Sequence, residues 1–293
     1  MEILQNDILE ITVNSHGAEL SSIKKLLSGE EMLWQGNPEY WGRRSPVLFP
    51  IVGSVWNNRY IYDGVAYEMT QHGFARDMDF SLVGKDDESV MYELHSDERT
   101  KSVYPADFIL RIGYELQDNK VKVSWSVLNI GDKEMHFQIG AHPAFNYKGF
   151  NPDTDVQGYF SLLPIERKYH LSVIADRGCI DGEPKEILYD EYCLIPITRN
   201  TFNSDALILE DSQTSNITLL DAKRTPYLRL TFDAPVVGLW SPAKEGYAPF
   251  VCIEPWYGRC DRVGYDGEFA QKDWTLHLSP GNSFKTSYCI EVL

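Results

Sequence analysis

The chain has 293 residues, of which 43% are hydrophobic and 24% are charged, a composition typical of a soluble globular protein with a large buried core. Its formal net charge of −16 disfavours nucleic acid and anionic membrane surfaces as partners, but it leaves room for small ligands, including a phosphate held in a local basic pocket. Neither a membrane span nor a signal peptide is recognisable, and the five cysteines have no CxxC spacing, so a cytoplasmic protein with reduced thiols is expected.

The first half of the chain predicts short β-strands separated by polar turns. Residues 8–13, 18–27, 80–83 and 90–94 alternate apolar and polar side chains or are rich in β-branched and aromatic ones. Asp63-Gly64 lies between two such runs in residues 60–67, which is the pattern of a two-residue β-hairpin. Residues 108–141 predict a meander of three long antiparallel strands, the last of which ends next to His142.

The second half repeats this pattern. Further strands are predicted in residues 206–209, 216–221, 227–232, 236–240, 250–254, 274–278 and 283–292. Helical periodicity is almost absent, with one helical turn predicted in residues 199–203, and residues 151–191 are rich in Gly, Pro and charge and predict long loops. We therefore expect an all-β protein in which residues 1–293 form a single large antiparallel β-sandwich domain.

The sequence MHFQIGAHPAFNY at residues 135–147 places a histidine at the end of a predicted strand. Pro143 lacks a backbone donor and restricts His142 to an extended conformation, so a stiff backbone aims the imidazole. An imidazole in such a position suits proton transfer near neutral pH. A lone histidine at a strand end is also typical of a core residue, and this pattern alone favours that interpretation.

A second X-Pro bond follows Glu254 in the sequence YAPFVCIEPWYG at residues 247–258. Residues 250–253 predict a buried strand that Glu254 ends, and burial raises the pKa of a carboxyl group toward that of a general base near neutral pH. The alternative is a buried ion pair with Arg259 or Arg262. Because His142 and Glu254 both end predicted strands at X-Pro bonds, we expect them to face one rim of the sandwich.

Two arginine-containing motifs supply further candidate binding groups. In QHGFAR, His72 and Arg76 place two donors on one short loop, although Arg76 is equally compatible with a surface cation. In WGRRSPVLFP, Arg43 and Arg44 precede an apolar segment and form a candidate clamp for an anion or for hydroxyl groups. The alternative is one solvated arginine and one arginine in a salt bridge.

Motifs for other common chemistries are absent from the sequence. There is no phosphate loop, dinucleotide fingerprint, EF-hand loop, zinc-protease motif or serine-hydrolase elbow. His136 and His142 lack a convincing third metal ligand, so no metal is expected. A carboxylate and an imidazole across a concave sheet face suit proton transfer at two oxygens of one small molecule instead.

Taken in this order, the motifs HGFAR, GAHPAFN and FVCIEPWYG resemble those of the aldose 1-epimerase (galactose mutarotase-like) family, most of all its bacterial LacX-like branch. The resemblance extends over nearly the full chain, from NSHGAELSSI through RRSPVLFPIVG to LSPGNSFKTSYCIEV. It implies a many-stranded β-sandwich with a sugar in an open cleft. It also implies a cofactor-free interconversion of the α and β anomers of an aldose.

Carried over by motif, the resemblance implies a role for each candidate residue. Glu254 is the expected general base at the anomeric O1 hydroxyl, and His142 is the expected general acid at the ring oxygen. His72 and Arg76 are expected to orient sugar oxygens. Two further expected contacts are Arg44, to the sugar or a phosphate, and Asp205, in the sequence NSDALIL.

Three alternatives stay open. HGFAR also resembles hexose-6-phosphate mutarotases, and Arg43, Arg44 and Arg76 are compatible with a phosphate, although a free hexose such as galactose or glucose is favoured. A carbohydrate-binding protein or sensor without turnover would share the fold, but the presence of both Glu254 and His142 weighs against it. A glycoside hydrolase needs two carboxylates about 5–10 Å apart, and Glu254 is the one clear candidate. The sequence indicates no oligomeric state.

Overall fold

The computed structural model describes residues 1–164, 168–187, 189–243 and 248–293. The strands of the first half are β1 (Glu2–Gln5), β2 (Leu9–Val13), β3 (Leu20–Lys25), β4 (Val47–Leu48), β5 (Arg59–Tyr62), β6 (Val65–Glu68), β7 (Ser81–Lys85), β8 (Ser89–His95), β9 (Phe108–Gln117), β10 (Lys120–Asn129), β11 (Met135–Phe137), β12 (Ile139–Ala141) and β13 (Ala144–Asn146). Those of the second half are β14 (Val156–Leu163), β15 (His170–Asp176), β16 (Cys179–Ile180), β17 (Lys185–Glu186), β18 (Ile195–Thr198), β19 (Leu207–Leu209), β20 (Asn216–Asp221), β21 (Pro226–Phe232), β22 (Val236–Trp240), β23 (Phe250–Tyr257), β24 (Leu276–Leu278) and β25 (Ser283–Val292). The helices among these residues are α1 (Glu98–Val103) and three 3₁₀ helices (Trp56–Asn58, Ala75–Asp77 and Phe269–Gln271).

Two nine-stranded antiparallel sheets form the body of the described part of the chain. Sheet A has the strand order β18-β14-β20-β21-β25-β10-β9-β8-β7. Sheet B has the order β16-β15-β19-β22-β23-β12-β4, with β13 also paired to β23 and β17 to β15. A three-stranded sheet (β1-β2-β3) and two ribbons (β5-β6 and β11-β24) complete the topology. The predicted all-β sandwich is confirmed, and none of the described helices has the length and apolar character needed to cross a membrane.

The main hydrophobic core lies between the two sheets. Strand β9 of sheet A contributes Leu110, and strand β23 of sheet B contributes Val251 and Ile253. The alternate residues of β23 point away from this core and are covered by smaller apolar clusters that include Cys252 and Trp256. Strand β23 is therefore buried on both faces, which explains why its sequence is apolar without alternation.

The hairpin predicted at Asp63-Gly64 is confirmed. Tyr62 pairs with Val65, and the two residues between them have φ values of +51° and +76°. Positive φ at both positions is typical of a type I′ turn, whose twist matches that of the flanking strands. Strands β20, β22 and β25 also have the bounds predicted from the sequence.

The prediction of a three-stranded meander in residues 108–141 is wrong in its third strand. Strand β10 pairs with β9 on one side and with β25 on the other. After β10 the chain leaves sheet A, forms β11, which pairs with β24, and then joins sheet B as β12. Gln138 fixes this crossing, because its backbone N–H donates to the Pro50 carbonyl over 2.7 Å. Its side chain bonds the backbone of Val52 and of Asp273, each over 3.1 Å. These partners are remote in sequence, so local alternation did not indicate the change of sheet.

The prediction of long loops in residues 151–191 is wrong in part. Strand β14 has eight residues and pairs with β18 and β20, and strand β15 has seven residues and pairs with β16, β17 and β19. Pairing on both sides offsets the low β propensity of the surrounding Gly, Pro and charged residues. Residues 165–167 and 188 of this segment lie outside the described residues, as does Tyr247 of the motif around Glu254.

Two local helical predictions also differ from the structure. Residues 199–203 form successive hydrogen-bonded turns rather than a helical turn, with the Thr201 N–H donating to Thr198 and the Asn203 N–H to Asn200. Helix α1 was not predicted. It begins with a capping box in which the side chains of Asp97 and Thr100 each accept the backbone N–H of the other.

A matched pair of leucine substitutions tests the position of the core. Leu110 in β9 is fully buried, whereas Leu82 in β7 of the same sheet is 45% exposed. We expect Leu110→Ala to lower the free energy of unfolding by about 2–5 kcal/mol, because it removes core contacts and leaves a cavity. Leu82→Ala, the control, should change it by less than about 0.5 kcal/mol. Urea unfolding followed by circular dichroism measures both, and equal losses would contradict this assignment.

Candidate active site

A cavity of about 220 Å³ lies on the face of sheet B that points away from the main core. Three tryptophans, Trp41, Trp240 and Trp256, line it. Five of the six site residues selected from the sequence also line it: His72, Arg76, His142, Asp205 and Glu254. The fold therefore brings together candidates that are far apart in the sequence.

The prediction that Glu254 ends a strand is wrong, because β23 continues through Pro255 and places Glu254 inside sheet B. The reason is an interruption in the neighbouring chain. Strands β12 and β13 both pair with β23, and His142-Pro143 forms the gap between them, beside Glu254. Proline is tolerated in a strand at a position where a backbone N–H would have no partner in the neighbouring strand.

Backbone hydrogen bonds place the missing N–H of Pro255 at this gap. The Ile253 N–H donates to the Pro143 carbonyl over 3.3 Å, and amides two residues apart in an antiparallel strand point to the same side. Pro255 is two residues after Ile253, so its nitrogen faces the interruption. The two X-Pro bonds noted in the sequence thus belong to one structural feature, the gap at which His142 and Glu254 meet.

The imidazole of His142 and the carboxylate of Glu254 are in contact. Nε2 of His142 lies 3.2 Å from Oε2 of Glu254, and the two side chains are 8% and 1% exposed. The atoms are not aligned for a hydrogen bond, and among the described residues Nδ1 of His142 and Oε2 of Glu254 have no hydrogen-bond partner. A buried imidazole in direct contact with a buried carboxylate, both on the lining of one cavity, is suited to proton transfer. This arrangement favours a chemical role for His142 over that of a core residue.

The arginines considered as partners of Glu254 pair with other carboxylates. Arg259 is buried and forms ion pairs with Glu210, over 2.9 Å, and with Asp273. Arg262 is 2.9 Å from the same Asp273. Within the described ranges, His142 is therefore the one basic group in contact with Glu254.

Burial governs the ionisation of this pair. It raises the pKa of the Glu254 carboxyl well above the ordinary value of 4.5, and the negative charge of Asp205 acts in the same direction. It also lowers the pKa of His142 from 6.5 to about 3, to which the positive charges of Arg76 and Arg43 contribute. Both shifts favour the uncharged forms, a carboxylic acid and a neutral imidazole.

Aromatic rings hold the His142 imidazole from several sides. Trp41 stacks on it with a centroid distance of 4.7 Å and an interplanar angle of 26°. The rings of Trp240 and His72 each lie edge-on to it at 5.5 Å. These contacts fix the orientation of the imidazole and keep water away from it, which strengthens the electrostatic interactions in the cavity.

Trp256 forms one wall of the cavity and was not selected from the sequence. A Cβ atom at Gly140 would lie 2.6 Å from Cδ1 of this indole, and one at Gly238 would lie 2.5 Å from Cη2, at the other end of the ring system. The indole therefore spans the strands on both sides of β23, and its N–H donates to the Ala141 carbonyl over 3.2 Å. Isolated glycines within two predicted strands were the available signal, because they indicate a close approach by another group.

His72 is fixed by its backbone and by its ring. It has a φ of +69°, and Gly73 after it has a φ of +70°. A Cβ atom at Gly73 would lie 2.2 Å from the Phe49 carbonyl oxygen, so only glycine fits there. Nδ1 of His72 accepts the Gly53 N–H over 3.1 Å, and burial lowers the pKa of His72 well below 6.5. The neutral ring therefore carries its proton on Nε2, which is left free to donate.

Arg76 is the arginine that lines the cavity. Its guanidinium donates to the Gln71 carbonyl over 2.6 Å and lies 3.7 Å from Asp77. Arg43 pairs with the same Asp77 over 2.9 Å, in line with the salt bridge considered for one arginine of the predicted clamp. Burial, followed by the charge of Arg43, lowers the pKa of Arg76 to about 10, so Arg76 stays positive at neutral pH.

The remaining two candidates differ in position. Asp205 lines the cavity just before β19, with a φ of +70° and with its carboxylate accepting the Ala206 N–H over 2.8 Å. Arg44 is not among the residues that line the cavity. Its backbone N–H donates to the Glu19 carboxylate over 3.0 Å, and its side chain packs beside Gly36.

Two groups of described residues have ligand atoms within 4.8 Å of one another and are close enough to bind a metal ion. One group is His142, Cys252 and Glu254 in the cavity, and the other is Glu134, His136 and His277 outside it. Burial raises the pKa of the Cys252 thiol well above its ordinary value, so the metal-binding thiolate is disfavoured. The cavity is better suited to proton transfer than to metal binding.

Comparisons with known proteins agree on one family. The family model described as aldose 1-epimerase matches residues 3–277. The chromosomal LacX protein of Lactococcus lactis subsp. lactis is 29% identical over 297 residues, which cover 99% of this chain and 98% of LacX. The galactose mutarotase related enzyme from Lactobacillus acidophilus is 34% identical, with a TM-score of 0.93 over 100% of this chain and 97% of that one. A galactose mutarotase-like protein from Lactobacillus casei is 28% identical, with a TM-score of 0.94 over 100% of both chains.

The difference in stability between Glu254→Gln and the wild type should depend on pH. Glu254 has a raised pKa in the folded protein, so it destabilises the fold increasingly as the pH rises above 4.5, until the folded pKa is passed. In this window, we expect the free energy of unfolding of Glu254→Gln to rise relative to that of the wild type by about 1.4 kcal/mol for each pH unit. Urea unfolding at a series of pH values between about 4.5 and 8 measures this difference.

The exposed Glu183 provides the control for this measurement. Glu183→Gln should differ from the wild type by less than about 0.5 kcal/mol at every pH. If the stability of Glu254→Gln ran parallel to that of the wild type across the pH series, the buried carboxyl would not have the raised pKa described above.

Proposed function

Because the chain belongs to the aldose 1-epimerase family, we propose that it is an enzyme of this type, interconverting the α and β anomers of a hexose. The observation that carries the proposal is the buried pair of Glu254 and His142, with Oε2 and Nε2 3.2 Å apart in the cavity. Anomerisation requires one base and one acid held close together. Galactose and glucose are the proposed substrates, in keeping with the name of the Lactobacillus acidophilus relative, a galactose mutarotase related enzyme.

Glu254 acts as the general base and His142 as the general acid. The Glu254 carboxylate takes the proton of the anomeric O1 hydroxyl, while the protonated ring of His142 donates its proton to the ring oxygen. The bond between C1 and the ring oxygen breaks as C1–O1 becomes a carbonyl, and the open-chain aldehyde rotates about C1–C2. Ring closure on the other face returns both protons. Atoms and charge balance, and the reaction transfers no electrons to or from a cofactor.

The burial of the pair favours this ring opening. Before the transfers the two groups are a carboxylate and an imidazolium, and afterwards they are a carboxylic acid and a neutral imidazole. The raised pKa of Glu254 and the lowered pKa of His142 both favour the second state. The hydroxyl groups of a bound sugar stabilise the first state, because they donate hydrogen bonds to the carboxylate.

The other groups that line the cavity orient the sugar. Nε2–H of His72 and the guanidinium of Arg76 donate to sugar oxygens, and the carboxylate of Asp205 accepts from hydroxyl groups. The faces of Trp240 and Trp256 pack against the apolar C–H surface of the pyranose. Such fixed contacts hold the anomeric centre next to the acid and the base, which removes much of the entropic barrier to reaction.

The charges around the cavity favour a neutral sugar over a sugar phosphate. Asp77 lies 2.9 Å from Arg43 and 3.7 Å from Arg76, so one carboxylate offsets part of the charge of both guanidiniums. Asp205 adds a further carboxylate to the cavity lining. A phosphate dianion is bound best by arginines without a competing carboxylate. Hexose 6-phosphate is therefore the second candidate substrate.

Anomer exchange measured by saturation-transfer NMR tests the proposal. We expect the wild type to accelerate exchange in galactose or glucose, and Glu254→Gln and His142→Gln each to lower the catalysed rate by about 10²–10⁴-fold, because each removes one proton transfer. Glu183→Gln and His95→Gln are the controls, since both side chains are exposed and neither lines the cavity. Both controls should retain the wild-type rate.

The same experiment separates the alternatives. Exchange in glucose 6-phosphate that is much faster than in either free sugar would transfer the assignment to the phosphorylated substrate. Sugar binding without any acceleration, for free or phosphorylated hexoses, would contradict the enzyme assignment and identify a carbohydrate-binding protein.

A further inference from the structure

The ribbon of β11 and β24 carries two histidines directly opposite each other. Its antiparallel register pairs Met135 with Leu278, His136 with His277, and Phe137 with Leu276. Met135 and Phe137 are buried, so His136 points to the other, accessible side of the ribbon. Side chains opposite each other in an antiparallel pair have Cβ atoms about 4.5–5.5 Å apart, close enough for two imidazoles to share one partner.

Glu134 completes a group that we call the ribbon cluster: Glu134, His136 and His277. The Nδ1 atoms of the two histidines are 3.0 Å apart, and their rings are 4.9 Å apart at an interplanar angle of 74°. Oε2 of Glu134 lies 3.9 Å from Nδ1 of His277. None of the three residues lines the cavity of Glu254 and His142.

We propose that the ribbon cluster is a binding site for a divalent cation of the zinc class. Zinc–nitrogen bonds are about 2.0–2.1 Å long, so two nitrogens of a tetrahedral site lie about 3.3–3.4 Å apart. The observed separation of 3.0 Å differs from this by a few tenths of an ångström, within the reach of a small ring rotation. Two imidazoles and one carboxylate suit Zn²⁺, Ni²⁺ or Cu²⁺ rather than Ca²⁺ or Mg²⁺, which prefer oxygen ligands.

The backbone of the ribbon holds the cluster in place before any ion binds. The backbone N–H of His136 donates to the hydroxyl of Tyr62 over 3.1 Å, and its carbonyl accepts from the hydroxyl of Tyr104 over 2.8 Å. The ring of Tyr62 also lies 5.5 Å from the ring of His136. Both tyrosines are buried, so they hold the backbone that carries the His136 imidazole in a fixed position. A rigid ligand lowers the entropic cost of binding.

The charge around the cluster is also favourable for a cation. Glu134 belongs to the cluster itself, and Glu268 places a further carboxylate close enough to interact electrostatically with His136. Asp63 does the same, although Lys133 pairs with it over 3.4 Å and offsets part of its charge. Glu268 is held near the ribbon because its carboxylate accepts the Gly64 N–H over 2.9 Å. A negative environment of this kind raises the local concentration of cations.

Two other exposed histidines show what the cluster adds. His16 lies 2.8 Å from Asp79, and the ring of His95 contacts the carboxylate of Glu93. Each of these pairs offers one imidazole and one carboxylate, and neither belongs to a group of three potential ligands within the described residues. His95 is therefore a matched control for His277.

Titration calorimetry with ZnCl₂, on protein without a histidine tag, tests the proposal. We expect one equivalent of Zn²⁺ to bind, and His277→Gln to weaken the affinity by at least about tenfold, since even outer-shell changes at metal sites cost 10–100-fold. His95→Gln should bind as the wild type does. Co²⁺ titrated into the wild type should give the visible absorption bands of a four-coordinate ion, and His277→Gln should lose them.

Three outcomes would overturn the proposal: no Zn²⁺ binding by the wild type, equal binding by the wild type and His277→Gln, or binding that His142→Gln removes and His277→Gln retains. The last would assign the ion to His142, Cys252 and Glu254 in the cavity. Glu134→Gln, in which an exposed side chain changes without loss of volume, provides a second variant that should also weaken binding. Because the test needs no turnover, its outcome is independent of the mutarotase assignment.

Discussion

The burial of the Glu254 carboxyl beside the His142 imidazole is the constraint on which the rest of the site depends. Two ionisable groups in a dry environment are unfavourable for folding unless they are paired and hydrogen-bonded, and here the contacting atoms lack aligned hydrogen bonds within the described residues. A core between two nine-stranded sheets is large enough to offset this cost. The same burial raises the pKa of Glu254 and lowers that of His142, so it favours the carboxylic acid and the neutral imidazole, the forms that the two groups have once the base has taken up its proton and the acid has given up its own.

A gap in sheet B creates this pair, and aromatic packing makes it rigid. His142-Pro143 interrupts the chain beside β23, and the continuous strand opposite it presents Glu254 to the opening. Trp41 stacks on the imidazole, and Trp256 lies across two glycine positions next to the carboxylate. The two reacting groups are thus held by the strands of sheet B and by packed rings, one of which, Trp41, comes from the segment between β3 and β4. A preorganised site of this kind needs little rearrangement during proton transfer.

Local sequence patterns predicted the all-β sandwich, the Asp63-Gly64 turn and the bounds of several strands, because alternation and turn chemistry are local properties. The X-Pro bonds also predicted that His142 and Glu254 belong together. The sequence did not predict that β23 continues past Pro255, that the chain changes sheets at Gln138, or that Trp256 lines the cavity. Each of these depends on remote partners; the side chain of Gln138, for example, bonds residues 86 and 135 positions away. The sequence also did not predict that Arg44 lies outside the cavity. Tertiary packing decides which way its side chain points, and the local sequence contains no signal for that direction.

The most direct test of the central claim, that burial keeps this pair uncharged at rest, is the protonation state of His142 in the sugar-free protein. Nitrogen-15 NMR of the labelled histidine rings, recorded between about pH 5 and 8, distinguishes neutral imidazole from imidazolium, and His142→Gln identifies the signals that belong to this ring. We expect His142 to give the signals of a neutral ring throughout this range, because burial lowers its pKa to about 3. An imidazolium signal from His142 in the sugar-free protein at neutral pH would contradict the proposed origin of its reactivity.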